Sequence, residues 1–180
     1  EMIYQSDFSK VTDGATSVEG WSLVPGYDNS KINIRGESGK KVMSVYRVNP
    51  QGDQAKIDAP TYAKYAFAPK TGKVNVDIKL STVTNTAQKY INILNENGKA
   101  IANLVFEKSP KDQPGDVSSM GQVIATKLPT ITYFSVNFRV DATDKTVTVI
   151  SSTGKTLTKI PLLDKTGTSV AGFAIRHDGI

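Results

Sequence analysis

The sequence predicts an all-β fold, an antiparallel two-sheet β-sandwich or jelly roll, on three observations. Several segments alternate apolar and polar residues with period two, turn clusters recur at strand-length intervals, and no segment carries a convincing helical period. At 180 residues, 38% apolar and 22% charged, the chain has the size and composition of one ordinary domain with a buried core. A single domain over residues 1–180 is therefore expected.

Taken in order, Ile3 to Phe8 is a candidate opening strand, and Trp21 follows Gly20 in a loop, where a lone Trp anchors a core or a lid. Lys31 to Arg35 and Lys41 to Val48 are further strand candidates, separated by the turn at Gly39. Tyr62 to Phe67 has Lys64 between two tyrosines and suits an edge strand, because a charge there discourages sheet-to-sheet association. The clearest alternation runs from Lys73 to Ser81, with Val74, Val76, Ile78 and Leu80 on one face and Asn75, Asp77 and Lys79 on the other. Asn95-Glu96-Asn97-Gly98 predicts a hairpin between Lys89–Leu94 and Ala100–Phe106, since Asn-Gly tolerates the positive φ of tight turns. Lys108 to Ser119 is the longest polar stretch and is expected to be a loop within the domain. Gly121 to Lys127 is another strand candidate. From Thr130 to Val140 the period-two pattern returns, with Tyr133, Ser135, Asn137 and Arg139 opposite Phe134, Val136, Phe138 and Val140. Asp141 to Asp144 supplies turn chemistry before Thr146 to Ile150, completing a second hairpin. Lys155 to Leu163 and Val170 to Arg176 close the set.

Composition excludes much chemistry. The chain has no cysteine, hence no disulfide, thiolate nucleophile or Cys-based zinc site, and its single histidine, His177, argues against His-rich metal centres and a Ser-His-Asp triad. The absence of cysteine fits either an oxidising or a reducing compartment. Glu1-Met2-Ile3-Tyr4 shows no basic n-region followed by an apolar stretch, so a signal peptide is either absent or already removed. No apolar run approaches the roughly 20 residues of a membrane-spanning helix, so a soluble domain without a membrane span is expected. The formal charge is +5, but its lysines are spread along the chain rather than clustered, which argues against a nucleic-acid partner.

The order of certain pieces carries a resemblance. These are Asp7-Phe8, Gly20-Trp21, Gly39-Lys40-Lys41-Val42-Met43-Ser44-Val45, Thr71-Gly72-Lys73-Val74-Asn75-Val76, the Tyr90 to Gly98 hairpin, and Tyr133 to Asp141 with Lys145 to Gly154. Together they resemble the concanavalin A-like jelly roll, in particular the carbohydrate-binding modules attached to secreted bacterial polysaccharide-degrading enzymes. The resemblance implies a non-catalytic domain excised from a larger multidomain protein, secreted or extracellular or attached to the cell surface. Its partners would be a polysaccharide and the catalytic domain of the parent protein. It also implies one structural calcium between the first and last strands, held by Asp7 and Asp178 with Asp13 as a further candidate. No Asp-x-Asp-x-Asp loop accompanies these, and ordinary turn aspartates are the alternative. The chain departs from such modules in ending at His177-Asp178-Gly179-Ile180 without paired acidic residues.

Jelly rolls also host enzymes, so the fold alone leaves catalysis open and the residues have to decide. Laminarinase-like hydrolases place two carboxylates on a central strand, because a retaining mechanism needs them about 5–5.5 Å apart. The equivalent strand by order, Ala100 to Phe106, has none, and none of the five Glu residues pairs with an Asp on a strand face. The better lead is polar and aromatic side chains on otherwise apolar strands, which suit sugar hydroxyls and the C–H faces of pyranose rings. Asp77, Lys79, Tyr90, Asn92, Asn103, Tyr133, Asn137 and Arg139 meet that description and would line one groove if their strands share a sheet. The alternative is the wet face of an antiparallel sheet, with Arg139 ion-paired to Asp77 or a loop Asp. A groove containing Lys79 and Arg139 would favour an acidic glycan such as pectin. A structural or adhesive β-sandwich of a cell-surface protein is the reading from another class, and a jelly-roll hydrolase or lyase the third.

Overall fold

The computed structural model describes residues 1–25, 30–47, 61–82, 87–110 and 113–177. These contain thirteen strands and no helix: β1 (Trp21–Val24), β2 (Ser30–Glu37), β3 (Lys40–Arg47), β4 (Thr61–Lys70), β5 (Lys73–Leu80), β6 (Lys89–Asn95), β7 (Ala100–Phe106), β8 (Gly115–Ser119), β9 (Gln122–Leu128), β10 (Phe134–Asp141), β11 (Thr146–Ser151), β12 (Thr156–Pro161) and β13 (Val170–His177). All pairings are antiparallel. A seven-stranded sheet runs β1-β4-β13-β6-β7-β8-β9, a four-stranded sheet runs β12-β11-β10-β5, and β2-β3 form a hairpin that lies against β4 and β13. The fold is the all-β, two-sheet jelly-roll sandwich expected from the alternation.

The core lies between the two main sheets, and the period-two pattern explains why. Along β10 burial alternates with sequence: Phe134, Val136, Phe138 and Val140 are buried, while Ser135 and Arg139 are exposed. From the other sheet Ile91, Ile93, Ala102, Leu104 and Phe106 enter the same apolar cluster, and Phe106 meets Phe134 edge to face with ring centroids 6.5 Å apart. Each sheet therefore buries one face and turns the other to water.

The predicted turns form as their residues dictate. Asn95 Oδ1 accepts the N–H groups of Asn97 and Lys99, and Gly98 takes φ +74°. Asp141 Oδ1 accepts from the N–H groups of Thr143 and Asp144, the turn role assigned to it.

Four expectations need correction. Ile3 to Phe8 is not a strand; Tyr4 instead stacks on Tyr65 at 3.9 Å, and its hydroxyl accepts from Trp21 Nε1 at 2.8 Å. Trp21 opens strand β1 rather than lying in a loop, and its ring joins Tyr4, Phe8, Tyr65 and Phe173 in an aromatic cluster beside the main core. The Tyr62 strand is not an edge, since β1 pairs along its outer side. The polar stretch from Lys108 to Ser119 hides β8, whose membership comes from backbone pairing to β7 and β9 rather than from an apolar pattern. Pro50-Gln51-Gly52-Asp53, a cluster of turn-forming residues in the sequence, lies outside the described residues.

Candidate functional site

Seven of the eight residues expected to share a groove lie on strands of two opposite outer faces, and the eighth lies in a loop. Asp77, Lys79, Asn137 and Arg139 belong to the four-stranded sheet. Tyr90, Asn92 and Asn103 belong to the seven-stranded sheet. Tyr133 sits in the loop before β10, because Ile131 adopts φ +60° and donates its N–H to Thr82 O, which delays the strand to Phe134. A single groove through all eight is ruled out by strand order, since β5 and β10 never pair with β6 or β7.

On the four-stranded face the polar groups satisfy one another. Asn137 lies opposite Asp77 and donates to its Oδ1 at 2.7 Å, and Arg139 Nε donates to Asn137 Oδ1 at 3.0 Å. Arg139 thus reaches Asp77 through Asn137 rather than by the direct ion pair to Asp77 or a loop Asp that was the alternative reading. Lys79 Nζ stands 5.3 Å from the Tyr133 ring centroid, and the Tyr133 hydroxyl donates to Glu37 Oε1 at 2.8 Å. That bond to Glu37 raises the Tyr133 phenol above its ordinary range. The result is a flat, internally bonded ladder.

The outer face of the seven-stranded sheet is built differently. Residues directly opposite one another on adjacent strands share a face, and the register aligns Tyr62 on β4, Arg176 on β13 and Tyr90 on β6 in one row, followed by Val105 on β7. The neighbouring row is Lys64, Ala174, Asn92 and Asn103. Their sequence neighbours Ala63, Ile91 and Leu104 are buried in the opposite direction, which fixes these side chains outward. At the usual strand spacing the two tyrosine Cα atoms stand about 10 Å apart with the exposed Arg176 between them. Tyr90 is braced by a chain of hydrogen bonds, its hydroxyl to Gln88 Oε1 at 2.7 Å and Gln88 Nε2 to Glu107 Oε2 at 2.8 Å. Asn103 also has a structural duty: its Oδ1 accepts the N–H of Met120 at 2.9 Å and steadies the β8–β9 turn.

Further along the same face the side chains shrink. Gly172 pairs with Ala66 and Leu94, and a depression of about 220 Å³ opens there, lined among others by Lys64, Ala66, Leu94 and Ala171. A larger and more open concavity of about 560 Å³ lies at the sheet edge, between β9 and the β11–β12 turn, with Lys127 and Lys155 at its rim. Tyr62, Lys64 and Arg176 were not among the expected site residues. Their signal was present as outward positions alternating with Ala63, Tyr65 and Ile175, but nothing local showed that their strands adjoin that of Tyr90.

Three titratable groups record the local environment. Glu96 accepts from Ser169 Oγ at 2.7 Å and from the Thr168 N–H at 2.7 Å, and these bonds hold its carboxyl down at about 2. A carboxylate with a lowered folded-state pKa stabilises above its unfolded value and loses that contribution as pH falls through the folded one. The protein should therefore lose part of its thermal stability from pH 4.5 down to about 2, and Glu96→Gln should lack that part, as read from melting midpoints across the range. An identical acid profile in the two proteins would contradict this. Burial pushes the Lys89 ammonium down to about 8. Asp7 is turned back on its own turn, its carboxyl lowered by hydrogen bonding from Ser9. Its expected calcium partner, Asp178, lies outside the described residues. Among the described residues no group of three or more His, Asp or Glu side chains converges on a metal position.

Neither a protein-family profile nor a curated protein sequence matches the chain. Among solved structures it is similar to a sialidase, with a TM-score of 0.73 and 15% identity over 99% of this chain, of which it spans only 15% of the length. Another match is a tetrameric galectin from the ball sponge Cinachyrella sp., with a TM-score of 0.44 and 13% identity over 66% of this chain and 89% of the other. At these identities the likeness to the sialidase is one of fold.

Proposed function

We propose that the chain is a non-catalytic glycan-binding module that takes a carboxylated polysaccharide, such as the polygalacturonate backbone of pectin, on the outer face of its seven-stranded sheet. The observation that carries this reading is the row Tyr62–Arg176–Tyr90 beside Lys64 and Asn92. Two tyrosine rings offer apolar faces to the C–H surfaces of sugar rings, and a guanidinium between them grips a carboxylate with two parallel hydrogen bonds. Lys64 adds a second positive charge, and Asn92 both donates and accepts to hydroxyls. A non-catalytic role agrees with β7, which carries no carboxylate where hydrolases of this shape place theirs. In a larger secreted enzyme such a module would hold the catalytic domain at its substrate and raise the local concentration of cleavable chain.

Affinity electrophoresis tests the reading, using polygalacturonate, alginate, hyaluronan and sialylated mucin beside neutral xylan and β-glucan, with calcium and with a chelator. Retention is expected on polygalacturonate. Arg176→Ala should weaken it at least about tenfold, since a hydrogen-bonded charge pair contributes about 1.5–3 kcal/mol. Arg139→Ala, on the opposite face, should leave it unchanged. No retention on any carboxylated polysaccharide would refute the proposal and favour a structural, protein-contacting sandwich. Loss on Arg139→Ala instead would move the site to the four-stranded face.

A further inference from the structure

Resting on that reading, we infer that the bound chain runs along β13 and β6 from the Tyr62–Arg176–Tyr90 row into a second subsite formed by Ala66, Leu94 and Ala171, so that the module holds internal stretches of several sugar units rather than single residues. Register and shape carry this. Tyr90, Asn92 and Leu94 succeed one another along β6, and Tyr62, Lys64 and Ala66 do the same along β4, so the first row and the depression lie on one line parallel to the strands. At about 3.3 Å per residue the interval from Tyr90 to Leu94 is about 13 Å, room for two to three pyranose units.

Lys64 belongs to both parts, standing in the row with Asn92 and lining the depression, so one continuous surface joins them. Ala66 and Ala171 leave the depression shallowly walled because their side chains are short. Phe67 and Pro69 give a sugar ring apolar surface there, while Lys64, Asn95 and Glu96 place polar groups of both signs around it.

The test is titration calorimetry with galacturonic acid and its α-1,4-linked dimer, trimer, tetramer and hexamer. Affinity should rise at least about tenfold from monomer to trimer and level off by the hexamer. Ala66→Trp, at an exposed position, should fill the depression and lower affinity for the tetramer about tenfold while leaving the monomer unchanged. Ala66→Leu repeats the test with a smaller group if the tryptophan variant does not fold. A flat length dependence in the unaltered protein, or an equal effect of Ala66→Trp on monomer and tetramer, would overturn this inference while leaving the glycan-binding reading intact. Failure of every oligomer and of polygalacturonate to bind would instead overturn the reading on which it rests.

Discussion

Phe138→Ala is expected to cost about 3–5 kcal/mol of stability, the usual range for truncating a fully buried aromatic. Phe138 has no exposed surface and lies mid-strand on β10, between Val76 on β5 and Val149 on β11. Its ring stands in the layer where the two sheets meet, among side chains fixed by backbone pairing on both sides. Paired strands cannot close readily on the space a lost ring leaves, so most of the cavity should persist and the cost should fall in the upper part of the range. For a domain of this size that corresponds to a fall of roughly 10 °C or more in melting midpoint. Urea titration of the two proteins gives the difference directly, and a loss under about 1 kcal/mol would mean that the sheets repack and that this layer is not rigid.

Gly172→Val should be at least as damaging, for a different reason. A Cβ at Gly172 would lie 2.5 Å from the Tyr65 carbonyl oxygen and 3.2 Å from the Ala66 Cα, both backbone atoms of the paired strand. Flexible side chains can yield to such a contact, but a paired backbone cannot without separating β4 from β13. The same pairing sets Tyr62 beside Arg176. The variant is thus expected to lose stability and polygalacturonate retention together, whereas Arg176→Ala should lose retention alone. Melting and affinity electrophoresis on the two variants separate these outcomes. A Gly172→Val protein that melts and binds as the parent does would show that the strands approach less closely than described.

The contrast between these two variants bears on what can be read from a sequence. Phe138 was legible as core from β10 alone, because alternation is a local property of the pleated chain. Gly172 was not, because its importance comes from Tyr65 and Ala66, more than a hundred residues away in sequence. The aromatic cluster shows the same limit. Ile3 to Phe8 has a strand's composition, yet Tyr4 lies over Tyr65 because Trp21, Tyr65 and Phe173 are brought together by strands distant in sequence. Strand β8 marks the opposite case, a polar segment recruited because neighbouring backbones offered donors and acceptors.

For the candidate site, the sequence by itself determined which side chains of the alternating strands point outward, where the Asn95 and Asp141 turns fall, and the absence of cysteine chemistry. A period of two distinguishes in from out but carries no information on which of two sheets a strand joins. Strand order decided that, setting Tyr90 and Asn92 beside Tyr62, Lys64 and Arg176 and leaving Asp77, Asn137 and Arg139 on the far side of the core. Pairing between strands distant in the chain follows from how two sheets jointly bury their apolar faces, a property of the folded whole that no single segment expresses.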